Sequence, residues 1–487
     1  MLQTSLEDAR NLAAQGDYRR VPVYQEIYSD VRTPIEVMRI LQGLSDHCYM
    51  LESAEPQQSW GRYTFLGFNP TAEVTLRNGV LKVNGSERPT ADPVQSIREI
   101  LAEYRAPRLP ELPPFAGGLV GYFSYDFLKY AEPTLSLDAL DDEGFNDVDL
   151  MLFEQVIAFD NFRQKIVLID NIDTSDLEAS YAAAEQRLGD LAELIRSGKP
   201  APIAHGKRTS EFRRLFDEAE YCGIVSRAQE HIHEGDIFQV VLSNRLDADF
   251  EGSLLDTYRV LRATNPSPYM FYFSSADMEA AGASPETLVK LQDGVLHTFP
   301  LAGTRPRGAT LAEDIELEAD LLADEKELAE HNMLVDLGRN DLGRISEFGS
   351  VKVERFHEVL KFSHVMHIGS TVRGSIRPDC DALDALASVL PAGTLSGAPK
   401  IRAAQIINDL ENCKRGIYGG AIGYIDLAGN MDTCIAIRLA FKRNGRVFVR
   451  SGAGIVADSV PENENRECIN KAQAVLNAIE IAEGGLE

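Results

Sequence analysis

The sequence predicts an α+β fold, in which helices and strands are intermixed without a regular βαβ order. Short strand-like runs punctuated by Gly and Pro occupy the first part of the chain, at residues 63–68, 72–76, 118–127 and 164–170. Asp293-Gly294 stands between alternating apolar residues and predicts a β-hairpin. The later predicted elements are helices at residues 316–338 and 399–411 and strands at residues 418–426, 432–441 and 446–451.

A segment rich in Pro, Gly and basic residues, RSGKPAPIAHGKRTS at positions 196–210, is the best candidate for a domain boundary. It separates an N-terminal region, residues 1–200, from a C-terminal region, residues 205–487. After the boundary, apolar residues recur every three or four positions from Phe212 to Ile232, which predicts one helix that ends near Gly235. A strand at residues 237–242 is expected next.

Composition excludes several classes of protein. The chain has 487 residues and a net charge of −27, which argues against a broad nucleic-acid or anionic-membrane surface. Its six cysteines are scattered without a C-x-x-C pair, so neither a zinc site nor a disulfide framework is predicted. The N-terminus lacks a signal-peptide core and no later stretch resembles a membrane span, so we expect a cytoplasmic protein.

Two pairs of glutamates stand three residues apart, Glu327 with Glu330 and Glu464 with Glu467, each in a predicted helix. The members of each pair project from one side of the helix. If the two helices face each other, four carboxylates converge, which requires a cation between them. Oxygen ligands that leave waters in place favour Mg²⁺. A solvated helix face is the alternative, because residues 313–330 carry nine carboxylates in eighteen positions.

Three loops can present backbone N–H groups to an anion: PLAGTRPRG at residues 300–308, PAGTLSGAP at 391–399 and SGAGIV at 451–456. The first also carries two arginines, whose guanidinium groups bind anions. The other two match neither a Walker loop nor a G-x-G-x-x-G unit, so nucleotide binding is not predicted. Ordinary tight turns remain the alternative.

Single polar residues interrupt or border apolar strands. Gln239 lies within IFQVVL, Arg438 within CIAIRLAF, and Glu286 just before a strand in AGASPETLV. Buried polar groups must be paired, so each has either a structural partner or a ligand. A carboxylate is the natural partner of Arg438, and this carboxylate can belong to a structural ion pair or to a substrate.

Taken together, these segments resemble the chorismate-utilising enzymes, and within them the large-subunit family of anthranilate synthases. The resemblance covers nearly the whole chain after residue 205, in the order of the family. The matching residues are 235–245, 265–272, 283–289, 300–308, 326–344, 364–370, 391–400, 418–424, 436–441 and 450–467. Residues 51–67 match the more variable N-terminal region. The resemblance implies mixed sheets with surrounding helices that enclose a central chorismate site.

The resemblance also implies how substrate and metal are held. Mg²⁺ would be bound by Glu330 and Glu467, with Glu327 and Glu464 close by or acting through water, and would clamp the ring carboxylate. The enolpyruvyl carboxylate would be held by one set of residues: Arg438, Tyr418 and the backbone of Gly452, Ala453 and Gly454. The side of the ring carboxylate would be oriented by another set: Gly303, Thr304 and Thr394.

Glu286 matches the acid that protonates the leaving hydroxyl, a role that suits an enclosed carboxyl beside two substrate carboxylates because its pKa is raised. His367 matches a histidine beside the reacting ring, with a core histidine as the alternative, and His364 is expected to be a core residue. Isochorismate- and salicylate-forming relatives carry a lysine in place of Gln239, and aminodeoxychorismate synthases carry one in place of Ala302. The expected reaction is therefore addition of ammonia at C2, which gives anthranilate.

Partners and regulation follow from the same resemblance. The chain has no G-x-C-x-G nucleophile elbow, so a separate glutamine amidotransferase small subunit, component II, would supply ammonia within a heterotetramer. Tryptophan would inhibit by binding an effector pocket to which the N-terminal region contributes, predicted to contain Glu52, Ser53, Arg62, Pro268, Tyr269, Met270 and Tyr424. Aminodeoxychorismate synthase and a noncatalytic ligand-binding relative are the alternatives.

Overall fold

The computed structural model describes residues 2–53, 61–361 and 365–486. His364 and residues 54–60, which belong to the N-terminal match, lie outside these ranges. The helices of the described residues are α1 (Leu6–Ala13), α2 (Pro34–Gln42), α3 (Pro93–Ala102), α4 (Leu128–Ala131), α5 (Leu177–Ser197), α6 (Glu218–His233), α7 (Leu255–Thr264), α8 (Leu311–Ala323), α9 (Glu325–Gly343), α10 (Ala382–Val389), α11 (Lys400–Glu411) and α12 (Pro461–Ala482).

The strands of the first half are β1 (Arg20–Tyr28), β2 (Cys48–Glu52), β3 (Tyr63–Phe68), β4 (Ala72–Arg77), β5 (Val80–Val83), β6 (Ser86–Pro89), β7 (Gly118–Phe123), β8 (Val148–Phe153), β9 (Gln155–Asp160), β10 (Lys165–Asp173), β11 (Lys207–Arg208), β12 (Arg213–Arg214) and β13 (Gln239–Glu251). Those of the second half are β14 (Tyr269–Ser274), β15 (Met278–Ser284), β16 (Thr287–Gln292), β17 (Val295–Thr298), β18 (Leu301–Pro306), β19 (Lys352–Lys361), β20 (Val365–Ser375), β21 (Gly397–Ala398), β22 (Ala421–Asp426), β23 (Met431–Ile435), β24 (Leu439–Arg443) and β25 (Arg446–Ile455).

The strands form two large antiparallel sheets. The first has the order β1-β10-β9-β3-β2-β14-β15-β24-β25-β13-β11, with β12 and β21 also paired to β13. The second has the order β18-β20-β17-β16-β23-β22-β7-β8-β4-β5-β6, with β19 paired to β20. In each sheet the strands that precede residue 200 are adjacent, and they join the later strands at a single seam, β2 with β14 and β7 with β22.

The two sheets pack face to face, with helices on their outer faces. An aromatic-rich core between them includes Tyr49 and Phe271 of the first sheet and Tyr122 and Phe153 of the second. The outer face of the first sheet is covered by helices that include α5, α7 and α12. The outer face of the second sheet packs against α3, α9 and α10. Burial on both faces explains why many strands are continuously apolar rather than alternating.

The α+β prediction is confirmed, and so is the hairpin. Asp293 and Gly294 have φ of 51° and 79° and connect β16 to β17, as a two-residue turn with left-handed residues requires. The boundary of α6 was predicted wrongly at its start, since the helix begins at Glu218 behind a capping box formed by Asp217 and Glu220. Residues 213–214 instead form a short strand, β12.

Two other elements are divided where the sequence predicted continuity. The helix expected at residues 316–338 is two helices, because the Asp324 side chain accepts hydrogen bonds from the N–H groups of Lys326 and Glu327 and caps a new helix. The strand expected at residues 432–441 is also two, β23 in the second sheet and β24 in the first. The chain passes between the sheets at Arg438, whose φ is +52°.

Candidate active site

A cavity of about 740 Å³ lies where the two sheets, α9 and α12 meet. It brings together most residues that the sequence analysis assigned to catalysis, substrate binding and metal binding. They are Gln239, Glu286, Ala302, Gly303, Thr304, Glu327, Glu330, His367, Thr394, Tyr418, Arg438, Gly452, Gly454, Glu464 and Glu467. These residues are spread along the chain from Gln239 to Glu467, so their convergence is a property of the tertiary fold and not of any local motif.

Strand β25 supplies one wall of the cavity through Arg450, Ser451, Gly452 and Gly454. Gly452 and Gly454 line it, whereas Ala453 does not and is instead fully buried in the core with Ile455. Alternation along a strand sends neighbouring side chains to opposite faces, so only the backbone of Ala453 can serve a ligand. A Cβ on Gly452 would lie 2.6 Å from the Leu242 carbonyl oxygen and 3.1 Å from the Tyr418 hydroxyl, so a side chain there would crowd the wall.

Arg438 provides one of two guanidinium groups that line the cavity; the other, Arg450, is paired with Glu411. Arg438 sits at the crossing between the sheets with φ of +52°, a conformation that costs free energy for a residue with a side chain and is often kept for function. Within the ranges that the structure describes, no carboxylate forms an ion pair with Arg438. Among these residues, the structure therefore does not show the structural ion pair that was the alternative for this arginine. Burial lowers the pKa of its guanidinium, and the Glu286 carboxyl opposes that shift.

Glu286 lies between β15 and β16 with its carboxyl group in the cavity. Burial raises its pKa to about 7, while a hydrogen bond from the Thr394 hydroxyl and the charges of Arg438 and Lys471 act in the opposite direction. The Thr394 Oγ1 to Glu286 Oε1 distance is 3.2 Å. A carboxyl with this pKa is about half protonated near neutral pH and can donate a proton.

His367 lies on β20 and pairs with Thr304 of the neighbouring strand β18, which also contains Gly303, so this part of the PLAGTRPRG segment is a strand and not a loop. Its Nδ1 is 2.9 Å from the Gly303 carbonyl oxygen and 3.0 Å from the Thr304 hydroxyl. A carbonyl oxygen only accepts, so Nδ1 carries the proton and Nε2 is the accepting nitrogen. Burial lowers the pKa of His367, which keeps the ring neutral. The histidine therefore offers an acceptor and not a positive charge.

The arginines of the PLAGTRPRG segment do not line the cavity. Arg305 pairs with Asp320 and Asp324, at 2.7 and 2.8 Å, and Arg307 pairs with Asp314 at 2.6 Å. They fasten β18 to α8 and to the start of α9. The segment contributes to the cavity through Gly303 and Thr304 and through the fixed position of its backbone.

The four glutamates all line this cavity, Glu327 and Glu330 from α9 and Glu464 and Glu467 from α12. Burial raises the pKa of Glu327, Glu330 and Glu464, and in each case the charge of a neighbouring glutamate of the set adds to the shift. Among the described residues, however, no three of the four bring carboxylate oxygens within 4.8 Å of one another.

This arrangement fits a hard divalent cation such as Mg²⁺. Mutual repulsion among half-buried carboxylates is relieved by a cation, and carboxylate oxygens are the ligands that Mg²⁺ prefers. Because no three oxygens meet at one point, the residues suit an ion held by one or two carboxylates directly and by the others through water. Three cationic residues that were not assigned from the sequence, Lys326, Arg450 and Lys471, also line the cavity.

A second cavity, of about 90 Å³, lies between the two sheets and contains most of the predicted effector residues. Those present are Glu52, Ser53, Pro268, Tyr269, Met270 and Tyr424. Its wall also includes Tyr63, Phe65, Lys290 and Asp432, which the sequence analysis did not single out. Aromatic rings beside a few polar groups are typical of a small-molecule pocket.

Arg62 does not line this second cavity. Its guanidinium group donates two hydrogen bonds to Asp160, at 3.0 and 2.6 Å, and packs over the ring of Tyr63. This bidentate pair with the nearly fully buried Asp160 carboxylate gives Arg62 a structural role. Arg62 was predicted to line the effector pocket, and it does not. Glu52, in contrast, faces the cavity while it accepts hydrogen bonds from Tyr258 and Arg262 of α7, at 2.5 and 2.6 Å.

Similarity to known proteins identifies the family to which the chain belongs. Residues 46–477 match the family model of the chorismate binding enzymes, and the chain belongs to this family. Within the part of the chain that the structure describes, no helix has the length and apolar composition needed to cross a bilayer.

Particular relatives resemble the chain over its full length. Anthranilate synthase component 1 of Acetivibrio thermocellus is 43% identical over 494 residues, which cover 99% of both chains. The protein of the same name from Aquifex aeolicus is 44% identical and covers 100% of this chain and 99% of its own. The crystal structure of anthranilate synthase component I from Streptococcus pneumoniae superposes with a TM-score of 0.78 at 40% identity, covering 92% of this chain and 98% of the other.

Proposed function

We propose that the chain is the large subunit of an anthranilate synthase, which converts chorismate and ammonia to anthranilate and pyruvate in the first step of tryptophan biosynthesis. One observation carries the proposal. A single cavity contains an enclosed carboxyl, a guanidinium group with no carboxylate partner among the described residues, and two facing pairs of glutamates, in a chain that anthranilate synthases match from end to end. Each group has a use in this reaction.

Arg438 and the backbone at residues 452–454 bind the enolpyruvyl carboxylate, and Tyr418 adds a hydrogen bond. Because no side-chain carboxylate of the described residues neutralises Arg438, the guanidinium is available to an anionic ligand. Gly303, Thr304 and Thr394 orient the ring at the side of its own carboxylate. The substrate is thereby fixed with its C4 hydroxyl toward Glu286.

Glu286 donates the proton that lets the C4 hydroxyl depart as water. Hydroxide is a poor leaving group, so the acid is essential to the step. The Thr394 hydroxyl donates a hydrogen bond to Oε1 of Glu286, so the acidic proton of this carboxyl is on Oε2. Arrival of a dianionic substrate raises the pKa of Glu286 above its value of about 7 in the free protein, so the carboxyl stays protonated in the complex.

Gln239 and Ala302 favour ammonia as the nucleophile. An amide side chain cannot take a proton from water, whereas ammonia attacks with its own lone pair at C2. Ala302 lines the cavity without an amino group, so it cannot form a covalent amine adduct. The neutral ring of His367 accepts the proton that is lost as pyruvate is eliminated and the ring becomes aromatic.

Mg²⁺ held by Glu330 and Glu467, with Glu327 and Glu464 bound directly or through water, would clamp the ring carboxylate and stabilise charge that develops on the ring. The chain's own part is to hold four acidic side chains on two facing helices, where repulsion between them favours uptake of a cation.

Ammonia is supplied by a separate glutamine amidotransferase subunit, component II, in a cytoplasmic heterotetramer. The name component 1, which the relatives bear, supports a second component. Tryptophan inhibits through the second cavity, where aromatic walls receive its ring and the Glu52 carboxylate receives its ammonium group. Glu52 already interacts with Arg262, so the effector shares this carboxylate with α7.

The test is incubation of the purified chain with chorismate, an ammonium salt and Mg²⁺ at mildly alkaline pH, followed by mass analysis. Anthranilate and pyruvate in equal amounts are expected, and omission of Mg²⁺ should abolish both. Glutamine should replace ammonium only after the second subunit is added. Accumulation of aminodeoxychorismate would instead assign the chain to that sister activity, and bound but unconverted chorismate would identify a noncatalytic relative.

A further inference from the structure

Lys471 lies on the glutamate side of the active-site cavity, one helical turn beyond Glu467 on α12. Its Nζ is 2.6 Å from Glu467 Oε1, so one of the two principal metal-binding carboxylates is already paired with a cation of the chain itself. Neither the reaction scheme nor the metal site described above uses this lysine.

The charge of Lys471 reaches well beyond Glu467. Burial raises the pKa of Glu286, and the charge of Lys471 opposes that rise. Lys471 also lines the cavity together with Glu286 and with Glu330 of α9, so its positive charge lies on the wall that the metal and the substrate would contact.

We propose that Lys471 is an internal cation of the metal site. Before the divalent ion binds, Lys471 pairs with Glu467. When the ion takes the place of Lys471 at Glu467, the lysine instead supplies positive charge to the substrate carboxylates. The inference rests on the proposed Mg²⁺ site and extends it. It assigns to Lys471 the role of a positioning residue and does not assign it a role in proton transfer.

The two parts of this role have opposite consequences for ligands of opposite charge. Lys471 and the ion compete for the same Glu467 oxygen, so removal of the lysine should strengthen metal binding. The same removal makes the wall of the cavity one unit more negative, so a dianionic substrate should bind more weakly. A single substitution should thus move metal affinity and substrate affinity in opposite directions.

An ordinary surface ion pair is the competing explanation. Lys471 and Glu467 are four residues apart on a helix and their side chains are 49% and 50% exposed, and such pairs contribute little to stability. That explanation predicts a small loss of thermal stability and no change in either affinity. The signs of the two affinity changes therefore separate the two roles.

The experiment compares the full chain with Lys471→Met, Lys471→Arg and a control, Gln473→Met, on the same helix. Gln473 is exposed and bonds to Asn477, away from the cavity. Mg²⁺ binding is measured by calorimetry without chorismate, and Mn²⁺ binding by the electron paramagnetic resonance signal of the free ion. The KM and kcat for chorismate are measured at saturating Mg²⁺.

We expect Lys471→Met to bind both ions about tenfold more tightly and to raise the KM for chorismate about tenfold, with a smaller change in kcat. Lys471→Arg should remain near the wild type, and Gln473→Met should change nothing. Unchanged or weaker metal binding in a folded Lys471→Met variant would overturn the inference while leaving the proposed function intact. A wild-type chain that binds neither ion would overturn the proposed metal site, and this inference with it.

Discussion

The hydroxyl of Thr394 lies 3.2 Å from Oε1 of Glu286, although the two residues are 108 positions apart in the chain. Glu286 follows β15 of the first sheet, and Thr394 belongs to a short 3-10 helix, Gly393–Leu395, that follows α10 on the second sheet. The candidate acid is therefore positioned by segments that belong to both sheets, and its enclosed environment governs how the protein responds to substitution and to pH.

Glu286→Gln should lose activity and gain stability. The amide cannot donate an acidic proton, so we expect kcat to fall by about a hundredfold or more at unchanged chorismate binding. Because burial raises the pKa from 4.5 to about 7, the stability of the wild type falls as the pH rises between these two values, and the loss is complete above 7. The variant should be more stable by about 3 kcal/mol at pH 8 and equal at pH 4, as measured by denaturant unfolding.

The pH profile of the wild type offers a second check on the same group. For the free protein, kcat/KM should fall about tenfold per pH unit above about 7, as the acid ionises. The corresponding limb of kcat should lie at higher pH, because the bound dianion raises the pKa of Glu286. A profile of kcat/KM that stays flat from about pH 7 to 9 would remove Glu286 from the role of acid.

Glu330→Gln and Glu467→Gln should each abolish Mg²⁺-dependent turnover without unfolding the chain. Each variant loses one of the two principal carboxylates, and the metal-free protein should be as stable as the wild type or more stable, since repulsion is reduced. Circular dichroism and calorimetric Mg²⁺ titration supply the measurements. Glu480→Gln, at an exposed position near the far end of α12, is the matched control and should bind Mg²⁺ normally.

Gln239→Lys should admit some attack by water. The Gln239 amide nitrogen lies beside Gly454, where an added Cβ would come within 3.0 Å of it, and an amine in this place can act as a base for water where an amide cannot. We expect traces of isochorismate in the absence of ammonium, detected by mass. Gln239→Met, which fills similar space without a base, should give none, and a Lys variant that also gives none would contradict the explanation for ammonia selectivity.

Ser53→Phe should relieve inhibition by tryptophan. The second cavity measures about 90 Å³, and a phenyl ring placed at its wall would occupy the space that the indole ring requires. The inhibition constant should rise about tenfold or more, with kcat and KM unchanged because Ser53 does not line the catalytic cavity. Ser53→Ala controls for loss of the hydroxyl, and an unaltered inhibition constant in Ser53→Phe would place the effector elsewhere.

Most residues that the sequence predicted for the candidate site do line one cavity, because each stands in a segment with a matching motif. The sequence could not predict which side chains face a cavity. Ala453 of the active-site set points into the core because side chains alternate along β25. Arg62 of the effector set binds Asp160 instead of lining its cavity. The sequence did not predict that the chain passes from one sheet to the other at Arg438, because the apolar residues on both sides of Arg438 have the pattern of a single strand. Lys471 was missed because a lysine four residues after a glutamate is typical of any exposed helix.

The seams between β2 and β14 and between β7 and β22 bear on how the polypeptide is made. When the ribosome has synthesised the N-terminal region, each sheet ends in an unpaired edge, and the partner of β7 is not translated until residues 421–426. Such edges can pair with other chains, so the edge of β7 then stays open to aggregation for nearly half of the synthesis, until β22 is made. Two separately expressed fragments divided near residue 200 should recognise each other through these same edges.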